Sequence, residues 1–502
     1  MSKIKKFVND TVIYGLSTII SRILNFLLTP LFVSQFRPAV YGIFTNLYAW
    51  SSMVNALLAF GMETTYFRFL DKVESNRKHR VFNASFFITL ISAVLFLLIV
   101  FSFAGPIGLW LSENPKLNPD YIRFTKYFAV ILCADALAVV PFAKLRAEGR
   151  PIRYSLLKII NIAILIGFNL FFLILLPKLI KHSDAWMQLA RPWFEEGWLG
   201  YVFISNLIAS VVTLLLLLPE MLSFRFSLDL PLVRQMLNYS FPILVANISF
   251  IINEHLDKML FPKLLPGEQG EIDLGIYGAV SKIAVFLNLF VTAFRLGAEP
   301  FFFSYAKNEN ARMVYAKIME YFVIAMVLVM VGICANLEWL KYFVRGQGIQ
   351  QEVYWSGLYI VPILLLNFVL LGVYMNLSIW YKLSDQTRYA VYIAGIGALL
   401  TLILSVIFIP MYSYLGAVLV TTMAYLVMIV ISYIWGQKNY AIPYNLKKNI
   451  FYIFLGTLLS WVCYSLLDSH VWLGNGVLTL LSLGIAYSER ENLQMMLRKR
   501  KE

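Results

Sequence analysis

The chain has 502 residues, of which 60% are apolar and 14% charged, with a formal net charge of +14 and a mean hydropathy of +0.72. Soluble domains hold about 45–50% apolar and about 25% charged residues, so this composition excludes a water-soluble globule and sets most of the surface against lipid. Gly and Pro are too few for a disordered or collagen-like polymer, and Cys133, Cys334 and Cys463, isolated in apolar runs, exclude a disulfide framework or a zinc cluster.

A membrane-crossing helix needs roughly 20 mostly apolar residues, because about 30 Å of hydrocarbon is crossed at about 1.5 Å per residue. Runs of this kind fall at 11–33, 41–62, 82–110, 127–142, 155–177, 199–219, 241–262, 276–296, 321–337, 358–379, 391–409, 415–435, 450–467 and 471–487. Their length argues for helices, since barrel strands alternate over about ten residues. The expected fold class is an all-α integral membrane protein with fourteen spans.

Lys3, Lys5 and Lys6 precede a first run that is too long for a cleavable signal and carries Arg22, so it is expected to be retained. An unpaired cation at the position of Arg22 costs on the order of 3 kcal/mol, so it should face protein or water. The second run closes on Gly61 and Glu63; the glutamate fits a gate or a helix-end charge met by a loop arginine such as Arg68. Asp135 is an intramembrane carboxylate in the fourth run. The Trp-rich loop 178–198 suits either a sugar-stacking outer surface or an aromatic collar. The loop 220–235, with Pro231, has the makeup of a linker. The seventh run gathers Asn253, Glu254, His255, Asp257 and Lys258; the eighth carries Lys282 and Arg295 and closes on Gly297 and Glu299. The tail ends in Arg498, Lys499, Arg500 and Lys501, enough for an anchor to anionic lipid.

Two readings compete for these charges. Arg22, Lys258, Lys282 and Arg295 form a basic lining for an anionic head group, or they pair with nearby acids, as Glu254 to Lys258 and Arg295 to Glu299 can at i,i+4 spacing. Asp135, Glu254, Asp257, Glu63 and Glu299 are candidates for ion coupling or gating; a salt-bridge cluster is the alternative for the segment around Asp257. His79, His182 and His470 have no metal-ligand spacing.

The chain also resembles itself. Tyr41 and Gly42 recur as Tyr277 and Gly278, Gly61 and Glu63 as Gly297 and Glu299, and Arg22 as Lys258, all at an offset of 236. Arg153 and Tyr154 recur as Arg388 and Tyr389 one residue short of it, and Leu199 and Gly200 resemble Leu415 and Gly416. Spans 1–6 are therefore expected to be duplicated as spans 7–12, giving lobes at 1–235 and 236–436 and two added spans with a basic tail at 437–502. Six spans per repeat leave both halves facing the same way, the parallel-repeat plan with substrate in a central cleft. Of 42 Lys and Arg residues, 27 fall on the side of the N-terminus, 10 on the other side and five within spans, so both termini are expected to be cytoplasmic and the basic charge marks the inner leaflet rather than a nucleic-acid partner. No G-x-x-x-x-G-K-[ST] loop, nucleophile elbow, metal pattern or dinucleotide loop is present, so neither an enzyme nor a cofactor is expected. Asn83-Ala84-Ser85 matches a glycosylation sequon but lies at the edge of an expected cytoplasmic loop.

Arg22 with Tyr41 and Gly42, and Asp257, Lys258, Gly275, Ile276, Tyr277, Gly278 and Lys282, are similar to the first-to-second and seventh-to-eighth span patterns of the Wzx-type oligosaccharide flippases, a polysaccharide-transporter family in the superfamily that also holds multidrug extruders and lipid II flippases. The resemblance implies movement of an undecaprenyl-diphosphate-linked sugar unit from the cytoplasmic to the outer leaflet of a bacterial inner membrane. It implies partners among membrane lipids, glycosyltransferases and a polysaccharide polymerase, and it sets Arg22 and Lys258 near the diphosphate. A cation-coupled multidrug extruder or a lipid II flippase is the alternative; an extruder would favour acids over cations in the cleft. A membrane glycosyltransferase would need acids in a large outer loop, whereas the loop 34–40 is short and has none.

Overall fold

The computed structural model describes residues 17, 19–74, 78–112, 118–226, 229–384 and 386–490. The leader lysines, the start of the first predicted run and the basic tail lie outside these residues. Among the described residues all regular structure is helical, and each predicted run coincides with helix along most of its described length. Ten helices among the described residues are long and apolar enough to cross a membrane, with two shorter apolar ones, Ile19–Gln35 and Gly200–Leu216. The chain forms two compact units, Met1–Ile272 and Asp273–Glu502.

The first unit contains α1 (Ile19–Gln35), α2 (Pro38–Ala59), α3 (Met62–Leu70), α4 (Lys78–Ser102), α5 (Ala104–Leu111), α6 (Asn118–Ala147), α7 (Pro151–His182), α8 (Gly200–Leu216) and α9 (Leu230–Leu264). Pro38 and Pro151 stand in the first turns of their helices, where a missing N–H costs nothing. Asp229 caps α9 by accepting from the Leu232 N–H at 3.2 Å. At the far end of α2 the chain turns left-handed at Phe60 (φ 48) and Gly61 (φ 64) before α3 begins. A Cβ on Gly61 would stand 3.0 Å from Ile243, so glycine answers both the backbone angle and the close approach of α9. The helix α6 is the hub: α2, α4, α5 and α8 pack on it, and Ala136, Val140 and Leu145 are wholly buried there.

The second unit takes most of α10 (Glu268–Tyr305), then α11 (Ala311–Ala335), α12 (Val361–Leu377), α13 (Arg388–Asn439), α14 (Leu446–Trp461) and α15 (Val471–Ser488). Here α11 is the hub, with α12, α14 and α15 packed on it. Gly456 of α14 lies against Val327, where a Cβ would come within 2.6 Å of the valine side chain; the missing side chain lets the helices close. The 52 residues of α13 are two helices, because Ser413 leaves helical geometry (φ 51, ψ −133). The runs 391–409 and 415–435 fall on either side of that break.

Candidate functional site

In the first unit, polar side chains from α2, α6, α7 and α8 converge inside the spans. The Asp135 carboxylate on α6 accepts a hydrogen bond from Ser210 of α8 and faces the Lys158 ammonium of α7. Tyr48 of α2 lies within electrostatic reach of Asp135, and its hydroxyl accepts from Asn206 Nδ2 at 3.1 Å. Lys158 stands over the Phe142 ring, 4.2 Å from its centroid, and is half-buried, as is Asp135. Arg22, exposed on α1, adds a second positive charge acting on Lys158. Asn161 of α7 donates to the Ala209 carbonyl at 3.1 Å and to Thr213 at 2.9 Å, tying α7 to α8 beside the cluster. Glu63 also acts on Lys158 but is ion-paired to Arg146. Two cations against Asp135 therefore leave a positive surplus, which at this depth attracts an anion or water.

The polar segment of α9 is organised differently. Asn253 and Asp257 are buried, each 3% exposed, and the Lys258 Nζ lies 3.2 Å from Asp257 and 3.3 Å from the Glu254 carbonyl oxygen. The glutamate side chain faces His255 at 3.9 Å. Pro262 has no N–H, so the Lys258 carbonyl, its i−4 partner, loses its helical donor. Asn46 of α2 supplies the replacement, donating to Lys258 O at 2.8 Å and to Met259 O at 3.1 Å. Lys258 thus carries a buried counter-ion, whereas the Arg22 and Lys158 charges outnumber theirs.

In the second unit Lys282 is half-buried and Arg295 exposed, both on α10. Glu299 meets Lys382 at 2.7 Å rather than its i,i+4 neighbour Arg295. Glu63, in turn, meets Arg146 and not Arg68. The two pairs are the same pair twice: Glu63 and Glu299 are 236 residues apart, and so are Arg146 and Lys382. The offset visible in the sequence thus recurs as an ion pair within each unit. Asp135 and Arg22 share a cluster, while Glu254, Asp257 and Lys258 form another. Sequence reasoning missed Lys158, which lies inside the run 155–177 and was legible there as a cation in an apolar stretch. Among the described residues no group of three His, Cys, Asp or Glu side chains is placed to hold a metal.

A family model described as polysaccharide biosynthesis protein matches residues 7–305. No curated protein matches the sequence. Among solved structures, the lipid II flippase MurJ in an inward closed conformation is 13% identical with a TM-score of 0.72, covering 96% of this chain and 100% of that one. An inward-facing multidrug resistance MATE family transporter of the MOP superfamily is 14% identical with a TM-score of 0.59, covering 85% and 94%. A MOP superfamily transporter from Pyrococcus furiosus is 12% identical with a TM-score of 0.53, covering 85% and 95%. These likenesses establish the fold of a MOP transporter for a multi-pass membrane protein, and the family match, spanning more than half of the residues, makes the chain a member of the polysaccharide biosynthesis protein family.

Proposed function

We propose that the protein is a flippase that carries an undecaprenyl-diphosphate-linked oligosaccharide from the cytoplasmic to the outer leaflet of a bacterial inner membrane by alternating access, with both termini cytoplasmic. The observation that carries the reading is the surplus of positive charge at Arg22 and Lys158, set among the polar groups of Tyr48, Asn206 and Ser210, in a member of a polysaccharide biosynthesis family. A diphosphate and its sugars cannot cross hydrocarbon unaided, because each unsatisfied polar group costs kilocalories and an ionised group far more. Cations held inside the spans lower that barrier, and an inside-negative potential favours outward movement of an anion by about 2.3 kcal/mol per elementary charge per 100 mV. Lys258 of the first unit and Lys282 and Arg295 of the second are further candidate head-group contacts in this reading. Asp135, beside Lys158, is the acid best placed to couple transport to a proton, with Glu254, Asp257, Glu63 and Glu299 as further coupling or gating groups. Glycosyltransferases that build the sugar unit and a polymerase that consumes it are the expected functional neighbours.

The test is leaflet reorientation of a labelled polyprenyl-diphosphate sugar in proteoliposomes. Arg22→Ala and Lys158→Ala are each expected to slow movement by about tenfold or more, the loss of roughly 1.4 kcal/mol of stabilisation; Lys258→Ala is expected to slow it less, because Asp257 already holds that charge. Full rates in both Arg22→Ala and Lys158→Ala would remove the basic site. Rates unchanged by collapsing ion gradients would remove the coupling role of Asp135 and of the other acids and leave the basic site standing.

A further inference from the structure

The end of the first unit where α6 gives way to α7 carries a cavity of about 570 Å³ that the transport site does not use. Its polar wall is Arg150 and Arg153; its apolar wall is Ile152, Leu156, Ile160 and Leu216. Both guanidiniums converge on one carboxylate, Glu220, at 3.2 and 2.9 Å, and that carboxylate is 3% exposed. Arg150 also reaches Glu148 at 3.5 Å, a longer contact that Glu148 shares with Lys144 at 3.8 Å.

The buried glutamate acts as a bracket. It fixes two planar cations side by side while leaving their outer edges open, with side chains 42% and 34% exposed. Each guanidinium has five N–H donors in a fork that suits phosphate oxygens, and one carboxylate occupies only a few of the ten. The apolar wall is open: Ile152 is 76% exposed, Leu156 54% and Leu216 38%. Leu156, Ile160 and Leu216 belong to α7 and α8, helices of the spans, so these side chains face acyl chains, and the arginines sit where a run of apolar residues meets a basic helix end. A cation pair at that boundary, with an apolar trough running from it toward the membrane interior, matches one molecule with an anionic head and hydrocarbon tails.

We propose that this cavity binds a single anionic phospholipid of the surrounding bilayer, its phosphate against Arg150 and Arg153 and a chain along Leu156, Ile160 and Leu216. Occupancy ties the α6–α7 connection and the first turns of α7 to the end of α8 through one lipid. A free phosphate would use the arginines but not the trough, and a zwitterionic lipid would use the trough with a weaker hold on the arginines.

The test uses the purified full chain in detergent. Retention of phosphatidylglycerol is measured by native mass spectrometry, and the rise in thermal unfolding midpoint on adding phosphatidylglycerol, phosphatidylcholine or inorganic phosphate is read alongside. Two variants separate head from tail: Arg150→Gln, which leaves Arg153 on Glu220, and Leu156→Trp, which fills the trough and leaves every charge in place. The parent is expected to retain phosphatidylglycerol over phosphatidylcholine by about fivefold, the effect of roughly one basic contact. Arg150→Gln is expected to lose that preference and the matching midpoint rise, and Leu156→Trp to retain less of both lipids with a smaller midpoint rise from either, each whatever its own starting midpoint. Equal retention of the two lipids by the parent overturns the proposal. So does an undiminished preference in Arg150→Gln, so does undiminished retention of both lipids in Leu156→Trp, and so does displacement of the lipid by millimolar inorganic phosphate with no dependence on Leu156.

Discussion

At the scale of single residues, the informative feature is the repeated ion pair. Glu299 and Lys382 are 40% and 32% exposed in their side chains, so their attraction is screened and by itself contributes at most about 1 kcal/mol. Recurrence at the same offset as Glu63 and Arg146 argues for a role in holding the end of a helix at a set place, beyond general stability. A double-mutant cycle in thermal unfolding isolates the pairwise term. Glu299→Lys is expected to destabilise through repulsion from Lys382, and Glu299→Lys with Lys382→Glu to recover most of the loss. Strict additivity of the two single reversals would mean that the contact has no energetic coupling. In contrast, Lys158 is held by Asp135 and by the face of Phe142, so Lys158→Met keeps most of the packing volume while removing the charge. Transport lost in that variant with an unchanged unfolding midpoint assigns its role to charge.

At the scale of elements, helix ends and breaks follow from local chemistry, but the contacts between helices do not. Pro38, Pro151 and Asp229 mark helix starts in the sequence as they do in the structure. Pro410 and the polar Ser413 mark a dip in an otherwise apolar stretch, and the break at Ser413 follows; its hydroxyl bonds to Asp273 at the start of α10. The charges within the spans and the 236-residue offset were equally legible, since a cation among apolar residues is conspicuous wherever it falls. The partners were not. Nothing in the sequence near Asn46 says that it serves the carbonyls of Lys258 and Met259, 212 and 213 residues away, although Pro262 announces that the first of these carbonyls needs a donor. Arg146 and Lys382 fell on the repeat offset yet looked like ordinary basic helix-end residues, because loop charges are common and only geometry shows which acid each meets. Asn46→Leu removes the amide and leaves two carbonyls without it in a buried setting, which is expected to cost about 1–3 kcal/mol. Asn46→Gln, one methylene longer, is expected to recover part of that loss. A midpoint unaffected by Asn46→Leu would show that other donors reach the bend in α9.

At the scale of the whole molecule, the direction of insertion decides which leaflet each helix end meets, and it rests on where the cations lie. Lys144, Arg146, Arg150 and Arg153 crowd into ten residues at the connection from α6 to α7, whereas the connection from α7 to α8 spreads Lys178, Lys181 and Arg191 over fourteen. Lys and Arg near helix ends are retained on the cytoplasmic side, and acids contribute little, so the first connection is expected inside and the second outside. The helix α8 separates Gln188 from Arg225 by a single crossing of about 25 Å, its 17 residues rising about 1.5 Å each. One pair of cysteine substitutions therefore reads the orientation. Cys334 and Cys463 are wholly buried and will resist an impermeant maleimide, so Cys133→Ala supplies a sufficient background. In intact cells Gln188→Cys is expected to label and Arg225→Cys to label only after lysis. The opposite pattern would place the basic connection outside and overturn the expectation that the cations mark the inner leaflet. Labelling of both from outside would mean that α8 does not cross, and the count of spans on either side of it would change parity.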